Sequence, residues 1–166
     1  AINDSDDGDV IWVDASYADT LESMDFHGAA VDVLLLGGGS PSAAVDMADG
    51  SSLHVGTMSD LYRINSDTSG TASVASDMHL HSSAVNVFRD ASLNLSGEHM
   101  ILGNISQRMD SELSLGAPTT LVEGLWTCAT GSTIYASSGV SMLGSMVGTF
   151  DLFGSMTNVG DLSATD

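Results

Sequence analysis

Apolar residues return along this chain at a fixed interval. Reading every twentieth residue from position 33 gives Val33, Leu53, Ser73, Leu93, Leu113, Thr133 and Phe153. Two positions later the same step gives Leu35, Val55, Ala75, Leu95, Leu115 and Tyr135. A third set agrees: Leu102, Val122, Met142 and Leu162, with Leu80 standing one step before Met100. Side chains at i and i+2 share one face of a strand, because alternate Cβ atoms point to opposite sides. A pair of this kind that recurs at constant spacing is what a coil of stacked strands needs, each turn setting its inward residues on those of the turn before. The pattern therefore predicts an all-β fold: a single-stranded β-solenoid, or parallel β-helix, of about seven rungs of roughly 20 residues. At about 4.8 Å per rung the rod should be roughly 30 to 35 Å long.

Within that frame the rungs differ. Leu93 and Leu95 alternate with Ser92, Asn94 and Ser96 before Gly97 turns the chain, which makes this the clearest strand. Ser73 and Ala75, preceded by a polar run, are expected to point inward and to form the weakest rung. Ile134, Tyr135, Phe150, Leu152 and Phe153 are expected to repeat the inward plan near the C-terminal end. The triplet Gly37, Gly38, Gly39 followed by Pro41 reads as a corner, since no lysine or helix signal follows it as a phosphate cradle would require. Residues 1–25 stand outside the register. They read as an acidic arm followed by a capping or docking segment, with a short strand at 10–13 and the start of a helical turn at Asp19 and Thr20. Residues 26–166 form the predicted solenoid.

Charge narrows the partners. The formal net charge is -19, with no lysine and only Arg63, Arg89 and Arg108, which look dispersed along the chain. A surface of one sign repels phosphate backbones and anionic lipid, so nucleic acid and membrane surface are not expected as partners. Such acid-rich composition suits work in high salt, where screening removes self-repulsion, or the binding of divalent cations. No apolar run approaches the roughly 20 residues of a membrane span, so no membrane insertion is expected. Cys128 is the single cysteine, and its apolar neighbourhood marks it as a small buried hydrophobe. Asn3, Asn94 and Asn104 each open an Asn-x-Ser sequon. A start at Ala1 fits either removal of a leader peptide or an artificial boundary.

Two sets of residues have the chemistry of a metal site. Asn3, Ser5, Asp7, Gly8, Asp9 and Asp14 fall at positions 1, 3, 5, 6, 7 and 12 of a calcium loop, although Asp14 is short for the closing ligand and no helix precedes it. Calcium is the cofactor these oxygens would take. His79 and His81 form an H-x-H pair whose rings share a face, and His99 follows His79 by one period, which makes the two vertical neighbours. For catalysis, Asp90 and Asp110 are also one period apart, with Glu112 beside them, and glycoside hydrolysis needs two carboxylates about 5 to 10 Å apart. No Gly-x-Ser-x-Gly elbow occurs, and Cys128 has no histidine nearby in sequence. Thr119, Thr120 and Thr133 make no regular rank of the kind ice-binding solenoids use.

The run GTFDLFGSMTNVGDLSA at residues 148–164 resembles the Gly-Thr, Gly-Ser and Asn-x-Gly coils of autotransporter passengers and filamentous-haemagglutinin-type adhesins. That resemblance implies a parallel β-helix exported to the cell surface as adhesin or stalk, and it carries no functional residues with it. The expectation is thus a non-enzymatic structural solenoid of an extracellular, cell-surface or virion assembly: a fibre, surface layer, tail or adhesin. Copies would associate through ends or flanks into a homo-oligomer or homopolymer, with surface glycans as a further partner. The alternative is a carbohydrate-active β-helix enzyme using carboxylates on neighbouring rungs.

Overall fold

The structure, a computed structural model, describes residues 6–13, 23–26, 30–35, 43–55, 58–66, 69–158 and 162–164. All fifteen strands belong to one parallel sheet that coils into a β-solenoid of about six turns, with no helix among the described residues. Each turn lays strand on three faces. The first face stacks β1 (Val10–Val13), β3 (Asp32–Leu35), β5 (Ser52–Val55), β7 (Gly70–Ser76), β9 (Ala91–Ser96) and β11 (Glu112–Leu115), then parts of β13 (Trp126–Met142) and β14 (Met146–Asn158). The second and third faces share the strands β6 (Met58–Ser66), β8 (His79–Val87) and β10 (His99–Gln107), which bend from one face to the next. β12 (Thr119–Val122) belongs to the second face, and β2 (Ser23–Asp25), β4 (Ala44–Met47) and β15 (Leu162–Ala164) to the third.

Inward columns fill the coil with aliphatic side chains. On the first face Leu93 lies directly under Leu113, and Leu95 under Leu115. Leu80 and Met100 pair on the second face, as do Leu102, Val122 and Met142 in succession. Met24, Val45, Ile64, Val85, Ile105, Trp126 and Met146 form one continuous column on the third. All of these are buried. Dense stacking of this sort is what stabilises a solenoid, since no single turn encloses a core alone.

The interval is not constant, and this corrects four inward assignments. Ser52 pairs with Ser73 and Ser73 with Asn94, a step of 21 residues each time rather than 20. One added residue swaps the two faces of a strand. Ala72 and Val74 are therefore buried, while Ser73 and Ala75 are the outward pair. A second step of 21 restores the original parity, so Leu53 stands in the column of Val74 and Leu95. The same slip recurs between Glu112 and Thr133. Ile134 and Ala136 point inward there, and Tyr135 and Phe153 point out, 42% and 55% exposed. At the last turns the step shortens: Ser132 pairs with Phe150, 18 residues on, and Met146 with Leu162, 16 residues on. Leu162 consequently stacks on Met146 of the third face, not on Met142.

Residues 10–13 run parallel to β3 with Val10 opposite Asp32, a step of 22 that explains their absence from the twenty-residue pattern. The helical turn expected near Asp19 and Thr20 and the glycine corner at Gly37 lie outside the described residues.

Candidate functional site

The histidines come together as the period implies. His79 and His99 pair across β8 and β10, and their rings stack with centroids 5.2 Å apart and planes 20° from parallel. His81 stands two residues along on the same outward side, opposite Ile101. Near-parallel rings direct their nitrogens side by side, whereas a tetrahedral cation needs them to converge. Among the described residues no three His, Cys, Asp or Glu side chains gather as a metal centre would. Glu98 is exposed, and Asp77 lies 2.8 Å from Nε2 of His54.

Of the calcium-loop residues, Asn3, Ser5 and Asp14 lie outside the described residues. Asp7 and Asp9 use carboxylate oxygens on backbone donors: Asp7 Oδ1 accepts from the Ala30 N–H at 3.1 Å, and Asp9 Oδ2 from the Asp6 N–H at 3.0 Å. These bonds belong to a corner that repeats up the molecule between the third and first faces. In each corner the fourth residue's N–H donates to the first residue's carbonyl: Asp9 to Asp6, Ser51 to Ala48, Ala91 to Phe88 and Ser111 to Arg108. The third residue is left-handed each time, with φ of 90° at Gly8, 73° at Gly50, 60° at Asp90, 57° at Asp110 and 78° at Gly131. Only Gly, Asn and Asp enter that region at low cost. Asp90 and Asp110 therefore hold positions that the backbone reserves for such residues, and their spacing by one period follows from the corner.

The fourth corner residue is small or hydroxylated and buried in most turns. Ser51 Oγ donates to the Ala48 carbonyl at 2.7 Å, Ser111 Oγ to Arg108 at 2.6 Å, and Ser132 Oγ to Ala129 at 2.7 Å. Asp49 Oδ1 accepts from the Thr71 N–H of the next turn at 2.8 Å, as Asp7 does from Ala30. The sequence signal for this motif is Asp or Gly followed by Ser, Ala or Asp at positions 8, 50, 90, 110 and 131, which the search for apolar periodicity passes over.

A buried polar cluster also escaped the sequence. Gln107 occupies an inward position of β10, 2% exposed. Its Oε1 accepts from the Trp126 indole N–H at 2.9 Å and its Nε2 donates to the Thr133 carbonyl at 3.0 Å. Cys128 Sγ lies 3.7 Å from the same Oε1, and burial pushes its thiol up to about 12. A neutral thiol at this depth is chemically quiet.

Outward columns are tied vertically by small polar side chains. Asn86 Nδ2 donates to Asn65 Oδ1 at 2.8 Å, Asn65 Nδ2 to Asp46 Oδ1, and Ser52 Oγ to Asp32 Oδ1 at 2.5 Å. Asn104, a sequon residue, accepts from the Leu125 N–H through Oδ1 at 2.9 Å. Asn94 lies outward on β9.

The arginines are not dispersed. Arg89 and Arg108 occupy successive corners and, with Phe88, Met109 and Ala129, line a shallow surface hollow of about 500 Å³. Phe88 and Met109 are 40% and 41% exposed, and an Arg89 guanidinium nitrogen lies 2.8 Å from Met109 Sδ. Among the described residues neither guanidinium forms an ion pair.

The fold defines the chain as a parallel β-solenoid. No family model, no curated protein and no solved structure matches it.

Proposed function

We propose that the protein is a non-enzymatic structural β-solenoid, a subunit of an extracellular, cell-surface or virion assembly whose copies associate through flanks or ends. The observation that carries this reading is the aromatic pair Tyr135 and Phe153, stacked on the outside of the first face with centroids 5.2 Å apart and both substantially exposed. The interior of this coil is aliphatic, so aromatic surface placed outward is surface available for contact. Trp12, 67% exposed on the same face, adds to it. The vertical hydrogen-bond columns support a stiff rod, as does a core filled on all three faces. The resemblance of residues 148–164 to autotransporter passengers and filamentous-haemagglutinin-type adhesins supports export. A lysine-free surface of net charge -19 suits a saline exterior. Light scattering on purified protein in molar salt, with electron microscopy of the same sample, tests the reading. Oligomers or filaments are expected, and a monomer persisting to high concentration would count against it.

A further inference from the structure

The repeated corner between the third and first faces is electrically polarised along the rod. At one end its outermost positions carry Asp6, Asp7 and Asp49, with Asp9 beside them, all exposed. Toward the other end the corresponding positions carry Phe88, Arg89, Arg108 and Met109, also exposed. The carboxylates of Asp90 and Asp110 stand in the left-handed position of those same turns, and the Asp110 carboxylate lies over Gly131. The arginine end is thus near neutral in sum, with its cations and apolar side chains outermost, on a chain that holds only three arginines. At about 4.8 Å per turn the two ends lie roughly 20 to 25 Å apart.

We infer that this corner is a self-association edge, on which a second copy lies antiparallel. A two-fold axis across the middle of the edge brings the acidic end of each copy onto the arginine end of the other, so one patch serves both partners twice. The Arg89 and Arg108 guanidinium groups then meet carboxylates in the planar geometry that favours them, and Phe88 and Met109 lose their exposure to water. This inference rests on the self-association proposed above and names the flank that performs it. Two bodies of charge -19 repel at low salt, where the screening length is about 10 Å at 0.1 M and about 3 Å at 1 M. Pairing therefore strengthens as salt rises toward molar, since contact pairs and apolar burial survive screening that long-range repulsion does not.

Sedimentation equilibrium in 0.1 M and 2 M NaCl, on wild type and two charge-reversed variants, tests this. Wild type should dimerise in 2 M salt, and Arg89→Glu with Arg108→Glu should weaken that at least tenfold without moving the melting temperature. A second variant, Asp6→Arg with Asp7→Arg, should lose self-pairing likewise, and a 1:1 mixture of the two should recover a heterodimer. Wild type that stays monomeric in 2 M salt would overturn both this inference and the proposed function. Wild type that associates while Arg89→Glu with Arg108→Glu associates equally well would overturn the corner alone.

Discussion

The indole N–H of Trp126 points into the coil and meets Gln107 Oε1 at 2.9 Å, one turn away on the neighbouring rung. An interior otherwise made of Leu, Val, Ile and Met thus contains a fully buried amide and indole whose hydrogen-bonding groups satisfy each other and the Thr133 carbonyl. Buried polar groups are tolerated on this condition and become costly when one partner is lost. Gln107→Leu should therefore destabilise the fold by roughly 1 to 3 kcal/mol, by leaving the indole donor without an acceptor. Adding Trp126→Phe to that variant removes the stranded donor and should recover part of the loss. Urea unfolding of the two single variants and the double variant measures the coupling, and strict additivity would refute it.

Thr120 makes the opposite case. It sits between Met100 and Val140 in an inward column, fully buried, and its Oγ1 has no hydrogen-bond partner. Thr120→Val keeps the branched shape and removes the stranded hydroxyl. It should raise stability by roughly 1 kcal/mol, read as a higher urea midpoint with an unchanged slope.

Cys128 should resist thiol reagents in the native protein at pH 8 and react fully in denaturant, since burial keeps it neutral. The linkage has a definite sign. A thiol raised from 9.0 to about 12 holds its proton in the folded state while the unfolded chain releases it. This contribution to stability is fully present below about pH 9 and is lost as pH rises through the interval to about 12. Cys128→Ala should flatten that part of the pH–stability curve, which thermal melts between pH 8 and pH 11 can follow.

Corner positions should discriminate sharply among substitutions. Gly131 has φ of 78°, and a Cβ there would overlap the Asp110 carboxylate, so Gly131→Ala should cost roughly 1 to 3 kcal/mol. Gly103 has no unusual φ, yet its added Cβ would overlap the Ser83 carbonyl oxygen, and the backbone of two turns would have to part. Asp110→Gly retains the left-handed turn and should be close to neutral, whereas Asp110→Val should destabilise, because a branched side chain rarely accepts φ of 57°. Melting temperatures of the four variants should fall in two groups. Equal effects of glycine and valine at position 110 would show that the turn does not govern stability.

Part of this architecture was legible in the residues. The pairs Leu93 with Leu113 and Leu80 with Met100, and the run Leu102, Val122 and Met142, stack as their spacing implies. So do His79 and His99. Parity was legible only where the step stayed even. A single residue added in the corner before β7 reverses which side of the strand is wet, and Ser73, Ala75, Tyr135 and Phe153 were assigned inward for that reason alone. The corner itself went unseen because it is defined by one backbone angle and two hydrogen bonds, a signal spread over Asp, Gly and Ser that also abound elsewhere in this chain.

By itself the sequence determined that strands would wind and stack, because a period of about twenty with i, i+2 apolar pairs buries its side chains in no other simple way. Folding alone decided where each turn gains or loses a residue, and thereby which side chains face water. It also decided that Arg89 and Arg108, 19 positions apart, stand on one corner, and that Gln107 and Trp126 meet in the core. These are contacts between turns, set by the register of one ladder on the next, and no local pattern of residues encodes a register that shifts.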